Sequence, residues 1–92
     1  MPRLGEGFRV LAFMTDFDGE ALTPDTQEVK VYDPGGTLKF TETSPIKKAD
    51  GLHYIVYTFP EDGAVGKWTV KWKIIKSGRA RSGQLSVSVT NV

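Results

Sequence analysis

The chain has 92 residues and a mass of 10.2 kDa, which is enough for one domain with a modest hydrophobic core. It contains no cysteine, which excludes disulfides, thiolate metal sites and a thiol nucleophile. Hydrophobic residues make up 39% and charged residues 25%, the balance of a folded domain rather than of a disordered chain. The net charge of +1 indicates neither a nucleic-acid binder nor an acidic partner.

The charges are divided unevenly along the chain. Residues 1–62 hold all 11 acidic residues and six of the 12 basic ones, which gives a balance of −5. Residues 63–92 hold the other six basic residues and no acidic residue, which gives +6. The order of the charges therefore suggests an acidic and a basic segment that meet, within one molecule or between molecules.

Period-two alternation is the dominant pattern, and it predicts strands in several places. We expect residues 1–7 to form a flexible arm and residues 8–92 to form a single domain. In chain order, the predicted strands are an apolar run at 8–15, a Val-x-Val segment at 29–31, a short segment at 38–40, a β-branched and aromatic run at 53–59, a clear alternation at 68–74, and a Leu-x-Val-x-Val segment at 85–89.

Turn-forming pairs separate these runs, and no window shows the 3.6-residue period of a helix. The pairs include Asp18-Gly19, Asp50-Gly51, Ser77-Gly78 and Ser82-Gly83, in which glycine supplies the positive φ that a tight turn requires. Six or seven short strands joined by such turns predict an antiparallel sandwich or a small barrel.

The phase of the strands predicts which side chains fill the core. These are Phe8, Val10, Tyr54, Trp68, Val70, Trp72, Leu85 and Val87. His53, the only histidine, follows the turn at Gly51, and we interpret it as a surface strand residue. No nucleophile elbow, zinc-protease motif or phosphate-binding loop occurs, so we predict no enzyme, no catalytic residue and no cofactor.

One acidic segment has the composition of a cation loop. Asp16-Phe17-Asp18-Gly19-Glu20, with Asp25 five residues on, offers carboxylates beside a turn-forming glycine, as hard cations require. It lacks the further ligands and the terminal glutamate of an EF-hand. We therefore favour a loop in which the aspartates bond nearby amides, and we predict no metal site.

The stretch from Lys71 to Arg81 combines cations with an aromatic residue, as nucleic-acid surfaces do. However, Trp72 is in phase with Trp68 and Val70 and should point into the core. Lys71 and Lys73 then occupy the solvent-exposed face of an ordinary strand. We favour a solvated face or a protein contact, and nucleic acid remains a second alternative.

The order of motifs resembles small immunoglobulin-like β-sandwich modules of tailed phages and prophages, which also occur in some bacterial and archaeal surface proteins. The motifs that carry this resemblance are Asp16-Phe17-Asp18-Gly19, Asp33-Pro34-Gly35-Gly36-Thr37, Asp50-Gly51-Leu52-His53-Tyr54 and Gly66-Lys67-Trp68-Thr69-Val70-Lys71-Trp72. The resemblance implies an all-β, immunoglobulin-like antiparallel sandwich of about seven strands. It carries over no catalytic residue.

The same resemblance implies a non-enzymatic virion structural protein: a head decoration, head–tail connector or tail component. Its partners would be other virion proteins or copies of itself, with no membrane. No signal peptide or membrane segment is visible, so we expect synthesis in the host cytoplasm and a place in the virion. The charge division suggests interface residues: Asp16, Asp18, Glu20, Asp25, Glu28, Lys71, Lys73, Lys76, Arg79 and Arg81. The first alternative is an adhesion or carbohydrate-binding module with an exposed aromatic platform of Tyr32, Tyr57 or Phe59.

Overall fold

Seven antiparallel strands form two sheets in a computed structural model that describes residues 2–15 and 19–90. The strands are β1 (Gly7–Phe13), β2 (Thr26–Tyr32), β3 (Leu38–Glu42), β4 (Ile46–Ala49), β5 (Leu52–Thr58), β6 (Gly66–Lys76) and β7 (Arg79–Val89). One sheet has the order β1-β5-β4, and the other has the order β3-β2-β6-β7. The prediction of an all-β antiparallel sandwich of about seven strands is confirmed.

The β6–β7 hairpin is the longest element, with eleven residues in each strand. Its two-residue turn has positive φ at Ser77 (53°) and at Gly78 (76°), the geometry that matches the twist of a tight hairpin. The register runs without interruption from the Gly66–Val89 pair to the Lys76–Arg79 pair. This hairpin also supplies many of the buried core side chains, because alternate side chains of β6 point inward.

Aromatic side chains dominate the core between the sheets. Trp68 is fully buried, and its ring centroid lies 5.2 Å from that of Phe59 in an edge-to-face arrangement. The indole N–H of Trp68 donates to the Ala64 carbonyl at 2.8 Å, so this buried donor is satisfied. Of the residues expected in the core, the structure buries Val10, Trp68, Val70, Trp72 and Val87, and it packs Phe8 against them half-buried.

Two of the residues expected in the core, Tyr54 and Leu85, are not buried. In β5, Tyr54 lies on the outer face, where the Arg9 guanidinium stands 5.0 Å from its ring, and His53 points inward with only 4% of its surface exposed. The interpretation of His53 as a surface residue is therefore corrected. Because β5 is apolar on both faces, its sequence does not set the phase. Pairing with β1, which places Ile55 opposite Val10, does set it.

Leu85 is the second exception. It faces inward from β7 opposite the buried Val70, yet 46% of its surface is exposed, because no strand of the other sheet covers it. The prediction of an aromatic platform fails at Phe59, which is 2% exposed, and Tyr57 is half-buried beside it.

The segment before β1 is hydrogen-bonded to the sandwich in this structure. Arg3 forms a parallel bridge with Thr90, and the Gly5 amide donates to the Phe59 carbonyl at 2.7 Å. Its flexibility stays a prediction, as do the domain boundaries. In the part of the chain that the structure describes, no helix is long and apolar enough to cross a membrane.

Candidate functional site

The acidic and basic segments of the sequence meet within one molecule at the β6–β7 turn. One carboxylate oxygen of Asp25 accepts the Ser77 amide at 2.9 Å, and the other lies 3.4 Å from the Lys76 ammonium. The Ser77 hydrogen bond and then the Lys76 charge hold the pKa of Asp25 below its usual value. Asp25 is thus an exposed cap for a strained turn, which gives this carboxylate a structural role.

The outer face of the four-stranded sheet is predominantly cationic. Glu28 lies opposite Lys73 in the register, and Lys30 lies opposite Lys71. The Lys30 ammonium is 3.3 Å from a Glu28 carboxylate oxygen, and the Lys71 ammonium stands 5.1 Å from the ring of Tyr32. Glu28 is thus the acidic residue among three lysines on this face, and its exposed ion pair with Lys30 contributes about 0–1 kcal/mol.

The remaining residues of the predicted interface have different positions. Asp16 and Asp18, the two aspartates of the acidic loop, lie outside the described residues. Glu20 is exposed and takes part in an interaction within the chain, as does Arg81. Arg79 and Arg81 begin β7 beside the turn, close to Lys76 and Leu22. The structure thus brings Asp25 to Lys76 and Glu28 to Lys73, and an interface role for the set stays a prediction.

His53 is the buried polar residue of the core. Its Nδ1 has no hydrogen-bond partner in the described structure, and burial followed by the charge of Lys47 holds its pKa below the usual 6.5. Lys47 is its register partner on β4. The sequence pattern at this position is ambiguous, because His53 and Tyr54 lie near the start of β5, which is apolar on both faces.

A comparison with protein families finds one match over most of the chain. The CopC domain family model matches residues 13–90, from the last residue of β1 to the residue after β7. Searches among curated proteins and among solved structures found no match. The fold of this family is an immunoglobulin-like β-sandwich, which agrees with the predicted fold class.

This match corrects several predictions. The resemblance to phage modules is wrong as an identification, because the matching family is a copper-binding domain family of bacteria. A virion structural function, virion partners and the carbohydrate and nucleic-acid alternatives do not agree with that family. The virion localisation is also wrong, since proteins of this family are typically periplasmic or secreted. The motifs led to the wrong family because turn glycines and alternating tryptophans are required by the β-sandwich fold itself. They therefore do not distinguish the functions of proteins that share the fold.

Proposed function

This chain belongs to the CopC domain family, and from that premise we propose that it serves copper handling as a non-catalytic contact domain. In this role it binds another copper-handling protein and does not itself hold the ion in a centre of several ligands. The family points to copper ions and to copper-handling proteins as partners. The proposal places the chain where the family typically acts, in the periplasm or outside the cell.

The donor set of the chain is the observation that carries this proposal. Copper centres are built from several imidazole, thiolate, thioether or carboxylate donors around one ion. The sequence contains one histidine, two methionines and no cysteine. Among residues 2–15 and 19–90, no group of three or more histidine, cysteine or acidic residues is placed to hold a metal ion.

The geometry around the one imidazole agrees with this. His53 points between the sheets, on the same inward side as the buried Met14, whose amide bonds to the carbonyl of Gly51. Its unpartnered Nδ1 is a single donor atom in an apolar layer. One imidazole, without cysteine and without a metal-binding group of acidic residues among residues 2–15 and 19–90, falls short of the ligand count of a copper centre. The described residues therefore do not fit the ion that the family implies.

A contact role is supported by an exposed apolar surface. The outer face of the β1-β5-β4 sheet exposes about half or more of the surface of four large hydrophobic side chains: Leu11, Phe13, Ile46 and Val56. Cross-strand pairing brings Leu11 opposite Tyr54, and Ile46 lies opposite the same tyrosine from the other side. Contiguous apolar surface of this kind marks protein contacts.

Equilibrium dialysis against copper tests the proposal. The protein is dialysed at pH 7 against cupric ion, and separately against cuprous ion under reducing, oxygen-free conditions, with bound metal counted per chain. We expect no equivalent of copper that depends on His53, so that wild type, His53→Phe and Met14→Leu retain the same small amount. One equivalent retained by wild type and lost in His53→Phe would overturn the proposal.

A further inference from the structure

Strands β1 and β7 are edges on the same open side of the sandwich. Within the described residues, β1 is followed only by β5 in its sheet, and β7 only by β6 in the other. A groove of about 210 Å³ runs between them, lined by residues 10–12 of β1, Val70 and Trp72 of β6, and residues 83–85 of β7. Beyond Ala12 it continues past Met14 and Ile74 to Arg81, which lines its far end. The groove therefore has an apolar floor and a strand edge on each rim.

The four edge strands differ in how they are protected against added strands. The edges β3 and β4 have only five and four residues, carry charged side chains, and each pairs with an interrupted register. The β7 edge from Ser82 to Val89 carries no charge and no proline, and its register is unbroken. Short length, charge and bulges are the usual means of blocking strand addition. The molecule blocks β3 and β4 in these ways and leaves β7 open, while β1, with seven residues and an unbroken register, forms the opposite rim of the groove.

The space between the sheets is unfilled beside β7. Gly83 occupies an inward position opposite Trp72, and a Cβ built there would meet no atom within 4 Å. Two residues on, Leu85 also faces inward and is 46% exposed. Side chains that alternate along an added strand recur about every 6.6 Å, the spacing of these two positions. The groove thus offers room for apolar side chains at strand spacing.

The chain already adds backbone to one end of the same edge. The Leu4 amide donates to the Thr90 carbonyl at 2.8 Å, and the Thr90 amide donates to the Pro2 carbonyl at 3.1 Å. After this parallel bridge the chain crosses to the opposite sheet and begins β1 at Gly7. The β7 edge that precedes Thr90, from Ser82 to Val89, is therefore continuous with a position that already pairs with extended backbone.

We propose that the groove between β1 and β7 takes up an extended segment of a partner protein as an added strand. Its backbone pairs with the β7 edge, and its apolar side chains, at alternate positions, fill the space over Gly83 and pack against Trp72. An extended segment suits the site because the edge offers unpaired main-chain groups, whereas a helix satisfies its own and is about 10 Å wide. This inference rests on the proposed contact function, adds a second contact surface to the exposed face of the β1-β5-β4 sheet, and specifies the chemistry of the partner.

The test uses a fluorescein-labelled synthetic peptide of nine alternating valine and threonine residues with a glutamate at each end. The control peptide has the same sequence with alternate amides methylated, so that it cannot donate along one edge. Fluorescence anisotropy gives the affinity for wild type, for Gly83→Leu and for the matched outer-face variant Ser86→Leu. We expect micromolar binding by wild type, a loss of about tenfold in Gly83→Leu, and a change of under about twofold in Ser86→Leu.

A second measurement needs no variant. Amide hydrogen exchange of wild type, with and without the peptide, should show new protection at residues 82–86 and none at residues 38–42. Circular dichroism confirms that each variant is folded. The proposal is overturned by any of three results: no binding at about 1 mM, equal binding of the methylated peptide, or protection confined to β3 or β4.

Two further results separate this inference from the proposed function. If sedimentation shows dimers of wild type that Gly83→Leu abolishes, a second copy occupies the groove and the partner proposal is wrong. If the peptide fails to bind while dialysis finds no copper that depends on His53, the groove proposal alone falls. Copper retained through His53 would instead remove the proposed function, whatever the peptide does.

Discussion

Gly51 and Met14 approach each other so closely that only a glycine fits at position 51. The Met14 amide donates to the Gly51 carbonyl at 2.7 Å, and a Cβ built on Gly51 would lie 2.7 Å from the Met14 carbonyl oxygen. Gly51 also has φ of +75°, which side chains disfavour. This contact joins the end of β1 to the start of β5, and so it extends the pairing of these two strands by one residue beyond the Phe13–Leu52 pair.

Gly51→Ala should therefore lower the free energy of unfolding by about 3 kcal/mol, through the positive φ together with the backbone clash. Gly36→Ala is the matched control, because Gly36 has φ of +86° and no atom within 4 Å of its built Cβ. Gly36→Ala should lower the free energy of unfolding by only about 1 kcal/mol, because it places a side chain at a positive φ without a steric clash. Denaturant unfolding measures both, and equal losses would show that the contact with Met14 is not tight.

The difference between an inner and an outer phenylalanine gives a second prediction. Phe59 is 2% exposed against Trp68, whereas Phe13 is 64% exposed on the outer face of β1. Phe59→Ala should cost about 3–5 kcal/mol, because it leaves a cavity among aromatic rings. Phe13→Ala should cost about 0.5 kcal/mol. Thermal and denaturant unfolding of the two variants checks this, and a large loss in Phe13→Ala would contradict the strand phase.

The buried His53 predicts a loss of stability in acid, because burial and then the charge of Lys47 lower its pKa from the usual 6.5. Because burial lowers its pKa in the folded protein below the usual 6.5, the unfolded chain binds the proton more readily. Stability is therefore full above pH 6.5 and declines as the pH falls through that value. His53→Phe removes both this proton linkage and the unpartnered Nδ1. Unfolding curves at pH 7.5 and pH 5 should differ less in the variant than in wild type; an unchanged difference would place the linkage elsewhere.

Asp25 should act in a lower pH range. Its folded pKa lies below the usual 3.8, so its stabilising effect is present above that value and is lost as the pH falls below it. Asp25→Asn should lower the melting temperature at pH 6, and the gap to wild type should narrow at pH 3. Asp62→Asn is the control for removing one exposed acidic charge. A constant gap across this range would contradict the capping role of the carboxylate at Ser77.

The orientation of a strand could be predicted from sequence where apolar and polar residues alternate along it. It could not be predicted for strands without that alternation. In β6, tryptophan, valine and isoleucine alternate with lysine and threonine. This pattern alone predicts which side chains of β6 point into the core. β5 is apolar on both faces, and only its pairing with β1 turns His53 inward and Tyr54 outward. β4, with the sequence IKKA, has no alternation of apolar and polar residues. It becomes a strand by pairing with β5 at the edge of the sheet.

The candidate site depended on contacts that no local pattern contains. The capping of Ser77 by Asp25 joins residues 52 positions apart. The open space beside Gly83 exists because β1 and β7 belong to different sheets, which is a property of the topology. The donor set, in contrast, was readable from composition, since one histidine and no cysteine already limit what metal chemistry the chain can provide.

Nuclear magnetic resonance of the His53 imidazole during a cupric titration tests the proposed function most directly. Paramagnetic copper broadens the signals of any ring that coordinates it. At one equivalent of copper and pH 7, the His53 ring signals and the Met14 methyl signal should keep the same relative intensity as the other core signals. Selective loss of the His53 ring signals below one equivalent would show a copper ligand in the core and would contradict a contact domain without its own copper centre.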